Sequence, residues 1–219
     1  MSSFVLKIIA CITMLIDHAG YIVYNGKGSY FNYIGRIAFP IFAYQISVGY
    51  AKTKNLKNYI LRLLLFAIIS EIPFSLFASI ISNRKTLNIF FTLLLGLFAI
   101  IAYDKIKNKF IKIIPVLLLS FIGEFLQVDY GFFGVFLVFL FFVFRENKII
   151  MSVSFILFVF CKYVLSFKSF DINVLMYLCN ILPLVFILLY NKKQGLKLKY
   201  FLYIFYPVHL LILYLIFIF

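Results

Sequence analysis

Long apolar runs recur along the whole chain and are separated only by short polar breaks. Runs of about 18 or more nearly uncharged residues are typical of membrane-spanning helices. Hydrophobic residues occupy 65% of the 219 positions and charged residues only 13%, so a water-soluble fold has too little polar sequence to cover the apolar side chains. The sequence therefore predicts an all-α, polytopic integral membrane bundle in contact with the lipid bilayer.

The apolar runs predict about nine transmembrane helices within a single domain over residues 1–219. The predicted spans lie near residues 4–24, 34–51, 59–81, 87–104, 110–127, 131–145, 148–167, 172–190 and 200–219. The run at 131–145 is shorter than the roughly 20 residues of a usual crossing helix, which leaves a re-entrant segment open there.

Positive charge is distributed unevenly between the connections. The chain has 21 Lys and Arg residues and 7 Asp and Glu residues. The Lys and Arg residues lie mostly at the N-terminal end and after the even-numbered spans. The odd-numbered connections carry only Lys27, Arg84, Lys85 and Lys168. Because loops rich in Lys and Arg stay in the cytoplasm, we predict a cytoplasmic N-terminus and an external C-terminus in a cell membrane. This pattern explains the basic charge without a nucleic-acid partner.

Strongly polar residues inside the predicted spans are the candidates for function. Each costs at least about 2.5–3.5 kcal/mol at membrane depth, so it normally faces protein or a hydrated cavity. They are Asp17, His18, Arg36, Glu71, Asn88, Glu124, Asp129 and His209, with Gln45 and Asn180 as minor members. The alternative for any of them is a structural role in charge pairing or in joining helices.

Lys7 and His18 are eleven positions apart, which returns to nearly the same face of a helix. The spacing places a cation near the cytoplasmic interface and an imidazole roughly 16 Å deeper. This arrangement suits an anionic ligand that enters from the cytoplasm and reaches a base, with Asp17 as the group that orients or charge-stabilises His18. Alternatively, Lys7 only reaches the interface and His18 only bonds a neighbouring helix.

The remaining candidates are predicted to lie at the depth of His18, near the outer ends of their spans. Arg36 begins the second span, Asn88 the fourth, and Glu124 and Asp129 flank the end of the fifth. Arg36 could instead neutralise Asp17 or Glu71.

Two proline motifs add to this set. Glu71 lies in SEIPF, where Pro73 removes a backbone donor, and YPVH places Tyr206 and His209 on one face beside Pro207. Two His and three scattered Cys lack the spacing of a metal site, so no metal is expected.

The sequence resembles the TraX family and, through it, the wider transmembrane acyltransferase superfamily. The similar stretches are LKIIACITMLIDHAGY, IGRIAFPIFAYQISVGY, LRLLLFAIISEIPF, LNIFFTLLLG, the VDYG turn with Asp129 and Tyr130, and KYFLYIFYPVHLLILYL. The resemblance implies an enzyme that transfers an acetyl group from cytoplasmic acetyl-CoA to an amine or hydroxyl of a pilin N-terminus or another envelope molecule. It implies that His18 is the base or acyl-handling residue and that Lys7 and Arg36 help to hold the donor.

Two other functions fit the same residues. Intramembrane carboxylates and histidines also mark the pathway of a proton- or solute-coupled transporter, although no inverted repeat is evident. A non-catalytic membrane partner in the assembly of surface proteins would use them only to hold helices together.

Overall fold

The computed structural model describes residues 1–81, 86–164, 170–197 and 200–219. Arg84, Lys85, Lys168 and Lys199, which entered the prediction of orientation, lie outside these ranges. Within them the chain forms eleven α-helices and one 3₁₀ turn, Ile111–Ile113. The helices are α1 (Ser3–Val23), α2 (Phe31–Gly35), α3 (Ala38–Lys52), α4 (Leu56–Ile81), α5 (Ile89–Lys105), α6 (Ile114–Phe125), α7 (Gly131–Phe144), α8 (Lys148–Val164), α9 (Phe170–Ile181), α10 (Pro183–Leu188) and α11 (Phe201–Ile218). The predicted all-helical fold class is confirmed.

In the part of the chain that the structure describes, three helices are long and apolar enough to cross a membrane: α1, α4 and α11. Their side chains include many exposed apolar groups, such as Ile12, Leu65 and Ile72, which are 52%, 54% and 72% exposed. In water this exposure would be costly, whereas in lipid it needs no compensation. The protein is therefore a helical membrane protein, and the count of nine spans stays a prediction.

Two predicted spans are interrupted. The span at 34–51 begins inside α2, which ends at Gly35, and continues as the separate helix α3. The span at 172–190 divides at Leu182 into α9 and α10, where Pro183 at the start of α10 lacks the N–H that would continue the hydrogen-bond ladder. Pro207 lies inside α11, where it removes one backbone N–H donor without ending the helix.

The contacts divide the chain into two compact units. The first unit, called the histidine unit below, contains Met1–Phe42, Ile72–Arg84 and Ser152–Phe219. Within it, α1 packs against α2 and α11. Ser2 caps α1 by accepting a hydrogen bond from the backbone N–H of Val5, which satisfies one of the free donors at the helix start.

The second unit, called the carboxylate unit, contains Ala43–Glu71 and Lys85–Met151. Here α5, α6 and α7 pack against one another. The buried side chains of Val116, Val135 and Phe139 meet Ala99 in its core. Gly96 allows the close approach of α5 to α7, because a Cβ there would lie 2.6 Å from the Cβ of Val138.

Candidate functional site

Two histidines from helices at opposite ends of the sequence meet in the histidine unit. His18 projects from α1 and His209 from α11, and the Nδ1 of His18 lies 2.8 Å from the Nε2 of His209. The two rings are nearly parallel, at 7°. The packing of α1 against α11 thus forms a direct imidazole–imidazole hydrogen bond.

The second nitrogen of His209 fixes the direction of this hydrogen bond. Its Nδ1 lies 2.7 Å from the carbonyl oxygen of Phe205, which can only accept, so Nδ1 carries the proton. In neutral His209 the Nε2 then bears a lone pair and accepts from the Nδ1–H of His18. Neutral His18 is consequently left with an unprotonated Nε2, which is the form required of a base.

Aromatic rings hold the pair in place. Phe205 stacks on His209 with ring centroids 4.7 Å apart, and Tyr206 meets the same ring edge-on at 5.7 Å. Phe77 of α4 contacts His18 at 5.0 Å. His209 is only 5% exposed, so the orienting histidine is buried.

Asp17 belongs to a separate polar cluster between α1 and α2. Its Oδ1 accepts from the Nδ2 of Asn32 at 2.6 Å and lies 3.7 Å from the Nη2 of Arg36. The Nε of Arg36 donates to the carbonyl of Asn32 at 3.0 Å. Of the two carboxylates offered to Arg36 by the sequence, the structure pairs it with Asp17. The contact that orients His18 comes from His209, where the sequence had suggested Asp17.

Gly35 makes this cluster possible, and its replacement is a test of it. A Cβ at Gly35 would collide with the carboxylate group of Asp17. We expect Gly35→Ala to separate Asp17 from Asn32 and to destabilise the protein by about 1–3 kcal/mol, as overpacking does. Thermal unfolding in detergent measures this. Gly28→Ala is the matched control, because its Cβ would lie 3.6 Å from Asn32 and fit; equal unfolding temperatures for both variants would contradict the prediction.

In the carboxylate unit, Asn88 joins α5 to Glu71 of α4. The Nδ2 of Asn88 donates to the Oε2 of Glu71 at 2.6 Å and to the carbonyl of Ala67 at 2.7 Å. Its Oδ1 accepts from the backbone N–H of Phe90 at 3.0 Å and caps α5. The fully buried Asn88 therefore fixes the start of α5. It lies at the beginning of the predicted span 87–104.

Glu124, Asp129 and Tyr130 shape the turn between α6 and α7. Glu124 accepts a hydrogen bond from the backbone N–H of Phe132 at 2.8 Å, at the positive end of α7. The carbonyl of Asp129 accepts from the Thr92 hydroxyl. Tyr130 has a left-handed backbone, with φ of 65°. The two hydrogen bonds and the left-handed residue give this turn a defined conformation in the carboxylate unit.

The comparisons with known proteins cover nearly the whole chain. The model of the TraX protein family matches residues 2–217. The chain belongs to the TraX family. A relative from Dichelobacter nodosus, described as the probable fimbrial assembly protein FimC of serogroup H1, is 25% identical over 97% of this chain and 94% of its own length. No solved structure matches.

Within this TraX family member, the site residues predicted from the sequence fall into two groups. The histidine unit holds Lys7, Asp17, His18, Arg36, Tyr206 and His209. The carboxylate unit holds Glu71, Asn88, Glu124, Asp129 and Tyr130. A single chamber lined by both groups stays a prediction. Among the described residues, no group of three or more His, Cys, Asp or Glu side chains is placed to bind a metal ion.

Sequence reasoning missed Asn32, which is 5% exposed and bonded to Asp17. The available signal was its spacing of four residues from Arg36, which puts both on one face of a helical turn. The minor candidate Asn180 bonds the carbonyl of Met176 in its own helix.

Proposed function

We propose that this protein is a multi-pass membrane acyltransferase of the bacterial inner membrane. It moves an acetyl group from cytoplasmic acetyl-CoA to an amine or hydroxyl of a pilin N-terminus or another cell-envelope molecule. The proposal is carried by one observation, the hydrogen-bonded chain from Phe205 through His209 to His18. It leaves the Nε2 of His18 as a base whose orientation and tautomer are fixed by the protein.

The transfer requires a group that takes one proton from the acceptor and returns it to the departing sulfur. The acceptor gives its N–H or O–H proton to the Nε2 of His18 while its lone pair forms a bond to the thioester carbonyl carbon. The carbon–sulfur bond then breaks, and the proton passes from Nε2 to the departing sulfur to give the free thiol of coenzyme A. His18 thus acts as base and then as acid, and the imidazolium formed in between keeps its hydrogen bond to His209.

The family and the relative support the substrate class. The Dichelobacter nodosus protein is described as a probable fimbrial assembly protein. A protein subunit handled in such assembly would meet this chain at the membrane. We therefore favour a pilin-like polypeptide over a soluble metabolite, with a lipid or glycan headgroup as the other acceptor that the chemistry permits.

Roles for the other residues follow from their contacts. Lys7 lies on α1, three helical turns before His18, and supplies a cation on the predicted cytoplasmic side. Arg36 is partly exposed while it pairs with Asp17, so it can shift towards an anionic donor without leaving the carboxylate unpaired, since Asn32 also binds Asp17. Asn88 with Glu71, and Glu124 with the start of α7, would hold helix ends of the carboxylate unit in place, and Tyr206 would support His209.

A pair of variants at His209 tests the positioning step. In His209→Gln the side-chain oxygen can still accept from the Nδ1–H of His18, whereas His209→Leu removes the acceptor. We expect the leucine variant to lose activity about 10- to 100-fold, the range for partners that orient a reactive imidazole at metal sites, and the glutamine variant to retain most of it. The measurement is kcat and KM for thiol release from acetyl-CoA. Equal losses in kcat for His209→Gln and His209→Leu would contradict a positioning role for His209.

A non-catalytic role in assembling surface appendages is the second candidate, because the relative is described by assembly alone. In that case the protein would bind its subunit without releasing coenzyme A. Subunit binding that survives His18→Ala, together with no thiol release by the wild type, would favour this candidate.

A further inference from the structure

The carboxylate unit contains a cavity far from either histidine in sequence. It has a volume of about 410 Å³ and is lined by Tyr50, Ala51, Thr53, Leu56, Asp104, Phe142 and Arg145. These residues lie at the C-terminal ends of α3, α5 and α7 and at the start of α4. The volume falls within the range of about 300–1,000 Å³ typical of small-molecule sites.

The lining combines an aromatic wall with charged groups. Tyr50 and Phe142 meet edge-on with ring centroids 5.3 Å apart, and the guanidinium of Arg145 lies 4.3 Å over the ring of Phe142. The Tyr50 hydroxyl donates to the Oδ2 of Asp104 at 2.7 Å. A flat heteroaromatic ring can stack against such a wall, while a carboxylate accepts from an exocyclic amine or a sugar hydroxyl.

The surroundings of the cavity are strongly positive. The three connections at this end of the unit, residues 51–57, 104–112 and 145–148, carry nine cations against the two carboxylates Asp104 and Glu146. The cations are Lys52, Lys54, Lys57, Lys105, Lys107, Lys109, Lys112, Arg145 and Lys148. Such a field attracts polyanions, and these connections are the ones predicted to face the cytoplasm.

Arg145 is the cation best placed to bind an anion inside the cavity. Its Nη1 donates to the carbonyl of Phe142 at 2.8 Å, which anchors the guanidinium. Its Nε forms an ion pair with the Oε1 of the exposed Glu146 at 3.2 Å. A guanidinium held in this way presents its planar N–H donors in a fixed orientation, which suits a phosphate oxygen.

We propose that this cavity binds the phosphorylated adenine nucleotide at the head of the acyl-CoA donor. The base stacks on Tyr50 and Phe142, Asp104 accepts from the base or the ribose, and Arg145 binds the phosphates. This site rests on the proposed function for the identity of the donor, but its ligand is recognised without any acyl chemistry.

Binding of coenzyme A without an acyl group tests the site. Calorimetry is performed on the full chain in nanodiscs of phosphatidylcholine. We expect Arg145→Gln to weaken binding about 10- to 100-fold, as the loss of hydrogen bonds to a charged group does. Lys107→Gln is the matched control, since it removes one charge from the same end of the unit without lining the cavity, and we expect less than about a threefold change there. Equal weakening by both variants would overturn the proposal in favour of a diffuse positive surface.

Two further arms identify the ligand. Adenosine diphosphate should bind more tightly than inorganic pyrophosphate, and the preference should fall in Asp104→Asn. Equal binding of adenosine diphosphate and pyrophosphate would overturn the nucleotide assignment. Displacement of coenzyme A by phosphatidylglycerol in the nanodiscs would overturn it too. If Arg145→Gln weakens coenzyme A binding but the wild-type protein transfers no acetyl group, only the proposed enzymatic function is contradicted. Transfer with an unchanged KM for acetyl-CoA in Arg145→Gln would contradict only this site.

Discussion

Replacement of His18 by alanine is expected to reduce acetyl transfer by about 10²–10⁴-fold, the usual contribution of a general acid–base group. The reason is specific to the Nε2 of His18, which the chain through His209 leaves unprotonated in the neutral state. Without the imidazole, the acceptor loses the base that the histidine pair holds in place. The measurement is release of coenzyme A thiol by the purified protein in the presence of a pilin-type subunit.

A lipid-facing residue of the same helix provides the control. Ile12 lies on α1 and is 52% exposed, so Ile12→Ala shortens a side chain without touching the histidine pair. It should transfer acetyl groups at nearly the wild-type rate. If His18→Ala folds normally and matches Ile12→Ala in activity, His18 has no part in the chemistry.

Replacement of Asn88 by alanine is expected to lower the free energy of unfolding by about 2.5–4 kcal/mol. The loss combines an N-cap, at about 1 kcal/mol, with hydrogen bonds to a carboxylate, at about 1.5–3 kcal/mol. Both effects act at Asn88, because its side chain is fully buried and makes hydrogen bonds to Phe90, Ala67 and Glu71. Denaturant unfolding in mild detergent gives the free energies.

The contribution of the cap is isolated at Asn147. Its Oδ1 accepts from the backbone N–H groups of Ile149 and Ile150 at the start of α8, but the residue is exposed and these hydrogen bonds are local to that helix start. Asn147→Ala should therefore cost only about 1 kcal/mol. In a Glu71→Gln background the effect of Asn88→Ala should also shrink, since the charged acceptor has gone. An Asn88→Ala loss no larger than that of Asn147→Ala would contradict the proposed coupling of α4 and α5 through Glu71.

The sequence predicted the long helices well, because their ends coincide with changes in polarity. Predicted spans 4–24, 59–81 and 200–219 correspond to α1, α4 and α11 within a few residues. The breaks at Arg36 and at Leu182 lie inside apolar runs, where hydropathy carries no signal. They depend on local backbone geometry and, at Leu182, on the following proline.

The site residues were predictable as individuals and less so as partners. The cost of burying a polar group singled out His18 and His209, but their hydrogen bond joins residues 191 positions apart and depends on which helices pack together. The pairing of Arg36 with Asp17 was one of two options, and only the position of α2 decides between them. Asn32 was missed because an asparagine near a span end resembles an ordinary loop residue.

The most direct test follows both halves of the donor at once. Acetyl-CoA labelled separately in its acetyl group and in its nucleotide is added to the cytoplasmic face of proteoliposomes that hold the protein and a pilin-type subunit. We predict that the two labels separate, with the acetyl label on the subunit and free coenzyme A left on the side of addition. If the two labels cross the membrane together, or remain together on the side of addition, the protein does not transfer acyl groups.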